Sequence, residues 1–247
     1  MKASIIILSV ATTLLLAGNG SHSSQGKNAN SSESYQQIRP VIGTSVLSDE
    51  QKHTLAYMWN EEKLAKDIYL AINEVNPHRT LYNIATRAET KHQAAVETLI
   101  AAYDINISNL VDYTENYDEE ALLAMSPGEF GIDELNTLYS ELYLKGIQST
   151  QDALEVGCMV EVTDINDLDK DIEIAQGADD IVNVFEHLRE GSYRHYWAFD
   201  RALKSMGIDE GCCVLGDDFC KTADDYPINT HSNHSHKQSN SHSKGRH

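Results

Sequence analysis

"RAETKHQAAV", residues 87–96, decides how this chain is read. Stepped by threes and fours, Ala85, Glu89, His92, Val96, Leu99 and Tyr103 fall on one helix face, and its apolar members turn that face toward a core. Glu89 and His92 then sit where ionisable groups are costly. A lone ionised carboxylate in a low-dielectric interior costs several kcal/mol or takes up a proton. Something must compensate.

Three other segments show the same interruption. The first opens at "SDEQ", where Ser48 and Gln51 form a capping box, and stops before Asn76-Pro77; its stripe is Leu55, Met58, Glu62, Ala65, Tyr69, Ile72. The second, from about Leu81 to Tyr103, carries the quoted stretch. The third opens at "STQD" with Ser149 as cap and fades near Ala175, its stripe Leu154, Cys158, Glu161, Ile165, Leu168, Ile172. The fourth runs from near Asp179 to Gly207, with Ile181, Phe185, Leu188, Ser192, His195, Phe199 and Ala202. Each stripe is apolar except at its middle. At 1.5 Å per residue, Glu62 lies roughly 20 Å from its helix end, and Glu89 with His92 roughly 15 Å into the antiparallel neighbour, so the polar levels coincide.

Connections one-to-two and three-to-four are short, making two antiparallel hairpins. Residues 104–148 between them form a crossover with an acidic patch, "DYTENYDEE", a turn at "SPGEFG" and a helix around "DELNTLYSELYLKG". The predicted fold is therefore all-α: a ferritin-like four-helix bundle with one long crossover connection carrying an extra short helix.

Charge at one level of a core calls for a cation. Di-iron carboxylate bundles use a Glu from each of two helices and Glu-x-x-His from the other two, because i and i+3 project inward together. The second segment matches that motif in full. A lone Glu-x-x-His is common by chance, whereas four interrupted stripes in this order are specific.

"EEKLAKDIY", "RAETKH", "ALEVGCMVEVTDINDL" and "LREGSYRHYWAF" resemble the successive helix motifs of the ferritin-like family called domain of unknown function 2202, itself distantly similar to rubrerythrins. The resemblance covers roughly residues 47–208. It implies metal ligands at Glu62 (rather than Glu61, since Ala65 and Lys66 follow at the family's spacing), Glu89, His92, Glu161 and His195. It also implies oxidation of ferrous iron or reduction of a peroxide as the activity class when iron is bound at an open position. One departure stands out: Ser192 occupies the fourth helix's expected Glu position in "SYRH". Asp164, one turn beyond Glu161, is the expected replacement carboxylate; failing that, serine means one metal, a weakened pair or none.

The remaining chain sets the context. Of 247 residues, 1–20 read as a signal peptide, with an apolar run from Ile5 to Ala17 too short to span a bilayer; 21–46 as a disordered Ser/Asn-rich leader; 47–208 as the helical domain; 209–222 as a cysteine-containing loop; and 223–247 as a disordered tail holding five of the eleven histidines. Export is predicted, compatible with Asn-x-Ser sequons at Asn30, Asn106 and Asn233. Cys220 is expected to bridge to Cys212 or Cys213, with Cys158 a buried thiol. A net charge of −19 argues against nucleic acid and anionic membranes and suits metal ions as partners. Imidazole with carboxylate favours iron, one ion or two, with manganese or zinc next. A homo-oligomer is compatible with the sequence. His53, His78 and His187 lie off the stripes and read as solvated; Tyr69 and Tyr103 read as core.

Two other readings bear on function. The polar groups can form a metal-free hydrogen-bonded network, His92 with Glu89 and His195 with Glu161, that holds helix register. Alternatively, the bundle can be a scaffold for an extracellular matrix or mineral-associated protein acting through its acidic surface and histidine tail. A nucleophilic hydrolase is disfavoured, since no Ser or Cys has a strand-turn-helix setting.

Overall fold

A computed structural model describes residues 42–228, which fall within one compact unit. The predicted signal peptide, most of the leader and most of the tail lie outside the described residues, as do the sequons at Asn30 and Asn233. The fold is all-α. Among the described residues no strand forms; one isolated bridge joins Tyr113 and Ile132 within the crossover.

Caps set the long helices. Helix α1 (Asp49–Val75) begins at Ser48, whose side chain accepts from Gln51 N while the Gln51 side chain accepts from Ser48 N, the reciprocal box its sequence predicts. Helix α2 (Arg79–Asn83) runs into a π-helical turn (Ile84–Glu89) and on into α3 (Thr90–Ala102). That turn corrects the expectation of one regular second helix. After the short α4 (Glu119–Leu123), helix α5 (Asp133–Gly146) matches the helix expected in the crossover. Ser149 caps α6 (Thr150–Ile174), and α7 (Asp179–Ser205) closes the set.

Packing follows the stripes: all 25 stripe positions are buried except Tyr103, which is half-buried. Helices α6 and α7 form the most extensive pair, α1 packs on the π turn and α3, and α5 covers α1 and α6. Gln51 donates to the carbonyls of Ile174 and Gln176, placing the start of α1 at the end of α6. The crossover is pinned by buried Lys63, which pairs with Asp67 at 2.6 Å and donates to the carbonyls of Ser126 and Glu129.

The cysteines correct one expectation and meet another. Cys158 is bonded to Cys212 across 54 residues, so it is no free thiol; Cys220 pairs with Cys213. Spacing along one helix could not reveal the first bond, because the second partner arrives from a loop. That loop folds as two 3-10 turns, Gly211–Leu215 and Asp217–Phe219. Ordered packing also continues past the expected tail boundary at 223: the buried Tyr226 ring stacks on Tyr193 with centroids 4.9 Å apart, and its carbonyl accepts from Trp197 Nε1. No described helix is long and apolar enough to cross a membrane.

Candidate metal centre

Glu62 on α1, Glu89 at the end of the π turn, His92 on α3, Glu161 on α6 and His195 on α7 meet at one level of the core. Each is at most 8% exposed, which leaves no bulk water to solvate five titratable groups. His92 Nδ1 lies 3.1 Å from Glu89 Oε2 and 3.5 Å from Glu62 Oε2. His195 Nδ1 lies 3.0 Å from Glu89 Oε1 and 3.4 Å from Glu161 Oε2. Two triads result, Glu62/Glu89/His92 and Glu89/Glu161/His195, each offering one ligand atom per residue within 4.8 Å of the others. Glu89 belongs to both, one oxygen facing each imidazole. The rings stack loosely, centroids 5.4 Å apart.

These approaches lack hydrogen-bond alignment. Glu62 Oε1, Glu89 Oε1, His92 Nδ1 and His195 Nδ1 are all buried without a hydrogen-bond partner. A register-keeping network would satisfy such atoms, since buried polar groups are nearly always paired. Imidazole nitrogens and carboxylate oxygens that converge without aligned hydrogen bonds are instead a set a cation fits once the rings give up their protons.

Protons occupy the energetics otherwise. Burial pushes the Glu62 carboxyl from 4.5 up to about 7 against the pull of His92, and burial raises Glu161 against the pull of His195. Despite burial, His195 and His92 hold Glu89 below the usual carboxylate range. Burial likewise opposes charge on the imidazoles, but Glu161 and Glu89 raise His195 from 6.5 to about 10, and Glu62 with Glu89 lift His92 well above its ordinary value.

Asp164 stands outside both triads. Ser192 Oγ donates to Asp164 Oδ2 at 2.6 Å, so the acid is turned toward the position where the fourth helix lacks its Glu. Burial, then the charges of Glu62 and Glu161, push its carboxyl well above the ordinary range.

Two residues escaped the spacing argument. Tyr69, read as plain core, donates its hydroxyl to Glu161 Oε1 at 2.6 Å and thereby orients that carboxylate. Gly191 on α7 seats the His92 ring: a Cβ there would meet His92 Nε2 at 2.6 Å. Its signal was a glycine inside a helix interior, where it costs stability and needs a packing reason. Of the histidines read as solvated, His53 pairs with Asp112, and the His78 ring accepts from Thr80 N as the α2 cap; His187 is exposed.

The sequence profile of the family described as "Uncharacterized protein domain (DUF2202)" matches residues 51–217. The chain belongs to this family. The DUF2202 match contains both triads, Asp164 and Ser192. Uncharacterized protein MJ0754 of Methanocaldococcus jannaschii is 37% identical over 161 residues, 65% of this chain and 79% of that protein. A crystal structure of the hypothetical protein MJ0754 from Methanococcus jannaschii resembles the present structure with a TM-score of 0.57 at 35% identity, covering 68% of this chain and 87% of that one.

Proposed function

We propose that this is an exported, ferritin-like metal-binding protein whose core takes up transition-metal ions, iron foremost, with manganese or zinc as alternatives. The architecture is read as two helical hairpins, α1 with α2–α3 and α6 with α7, joined by one long crossover carrying α5. Glu89 carries the proposal: its two oxygens face two different buried imidazoles, and its Oε1 and both facing Nδ1 atoms are buried without an aligned hydrogen bond. Glu62, Glu89 and His92 would hold one ion and Glu89, Glu161 and His195 a second, with Asp164 approaching from the Ser192 side. Mixed imidazole and carboxylate ligands suit these metals.

Iron, when bound, supplies one-electron exchange, and the proposed activity is oxidation of ferrous iron or reduction of a peroxide. The protein's own groups prepare the place. Glu62 and both imidazoles release protons on loading, Tyr69 keeps Glu161 oriented, and the apolar stripes above and below exclude water. Export is supported by the apolar run at residues 5–17 and by two disulfides, which persist in oxidising compartments.

Element analysis of full-length protein purified without added metal tests the reading. Tight, stoichiometric iron or manganese is expected, lost from Glu89→Ala and reduced in His92→Ala. Wild-type metal content in both folded variants would refute the site. Weak, numerous calcium or zinc sites alone would favour an acidic matrix-type scaffold.

A further inference from the structure

Asn106 lies on the loop that follows α3, in the one sequon that falls within the described residues. Ile105, Ile107 and Leu110 are buried and clamp this loop to the body, while Asn106 stays exposed. Asn106 Oδ1 accepts from Ser108 N at 2.9 Å and from Ser108 Oγ at 2.6 Å, which caps the 3-10 turn Ile107–Asn109. Its Nδ2 makes no hydrogen bond among the described residues. Capping uses only the oxygen, and aspartate or serine would cap equally well. The fold therefore gives the amide nitrogen no duty.

Open space adjoins that nitrogen's side chain. Asn106 stands in the wall of a depression of about 740 Å³ between the first turns of α1 and the loop, within the size range of a site for an organic group. Glu50, Lys52 and Asn109 in the same wall can bond hydroxyl groups, and Val111, 87% exposed, supplies an apolar flank. A sugar ring has both a polar edge and an apolar face, so it suits such a mixture. Asn106 also differs from the other two sequons in charge. Exposed Asp104 stands two positions before it, where Asn30 has Asn28 and Asn233 has His231. A transferase that reads charge as well as the hydroxyl at the third position would select Asn106.

We infer that Asn106 is a site of N-linked glycosylation, with the first sugars lying over this depression. In the transfer the Nδ2–C1 bond forms as the bond from C1 to a phosphate oxygen of a lipid-diphosphate-linked oligosaccharide breaks. The lipid diphosphate leaves with the electron pair, and Nδ2 gives up one proton. The inference rests on the exported reading, since this donor serves chains that leave the cytosol, and it is independent of the metal centre.

Peptide mass spectrometry of full-length protein recovered from the exported and cytosolic fractions of its own host is the test, with the N-terminus sequenced in the same samples. In exported protein the peptide holding Asn106 should carry a saccharide mass. Ser108→Ala and Asn106→Gln should lose it, whereas Ser108→Thr, which keeps the hydroxyl, should retain it. If Asn106→Gln fails to fold for want of its cap, the Ser108 pair still decides, because the backbone N–H of residue 108 remains to bond Oδ1 in both. A bare Asn106 in exported protein, or a saccharide that persists in folded Ser108→Ala or Asn106→Gln, overturns the inference and leaves export standing. Protein confined to the cytosol with residues 1–20 retained removes the exported reading and the inference together.

Discussion

Glu62 and His195 tie the polar level to pH. A group whose folded pKa exceeds its unfolded one binds its proton more tightly in the fold, so stability is lost as pH rises between the two values. For Glu62 that window runs from 4.5 to about 7, and for His195 from 6.5 to about 10. Metal-free protein should therefore unfold at a lower temperature at pH 8.5 than at pH 5.5. Loading with a divalent ion should reverse the order, because the ion displaces those protons; thermal scans on both forms at both pH values would show it. A second residue-scale test concerns Gly191. Gly191→Ala drives a Cβ into the His92 ring, at a cost of about 1–3 kcal/mol, and should lower metal content even in folded protein. Glu62, Glu89, His92, Glu161 and His195 were all legible in the sequence, because burying a charge is costly enough to mark its position within an apolar stripe. Tyr69 and Gly191 were not. Their roles depend on which residue of another helix faces them, and periodicity along one helix carries no such information.

Among the helices, the π turn at Ile84–Glu89 distinguishes the second segment. Such turns hold one residue more than the α-helix needs, and Thr90 Oγ1 donating to the Ala85 carbonyl follows the wider spacing. Deleting exposed Arg87 lets the stretch close as regular helix with Leu81 and Val96 still facing the core. The variant should keep its helicity and stability but lose metal, since Glu89 is withdrawn from between the imidazoles. Circular dichroism with element analysis checks both halves, and full metal content would contradict it. Boundaries of α1, α5 and α6 were legible because Ser48, Ser149 and the "SPGEFG" turn state them locally. The π turn was invisible because a stripe of threes and fours reads the same whether one extra residue is accommodated between its members or not. The short α4 and the 3-10 turns lacked enough periodic length to register.

For the whole molecule, the covalent ties matter most to stability. By chain entropy, closing the 54-residue span from Cys158 to Cys212 is worth about 4 kcal/mol, and the seven-residue span from Cys213 to Cys220 about half that. Paired Cys158→Ser and Cys212→Ser substitutions should thus lower the unfolding midpoint far more than loss of the shorter bond, and denaturation with and without reductant would rank the two. The all-α fold was legible at this scale from four stripes and the length of the crossover; the longer tie was not, since pairing among distant cysteines is set by the tertiary path. That tie also has a mechanical meaning. When tension is applied to the two ends of the chain, the pull passes through the sulfur–sulfur link and bypasses everything between. Glu161, Ser192 and His195 all lie inside that closed ring, so half of the polar level bears no load while the bond lasts.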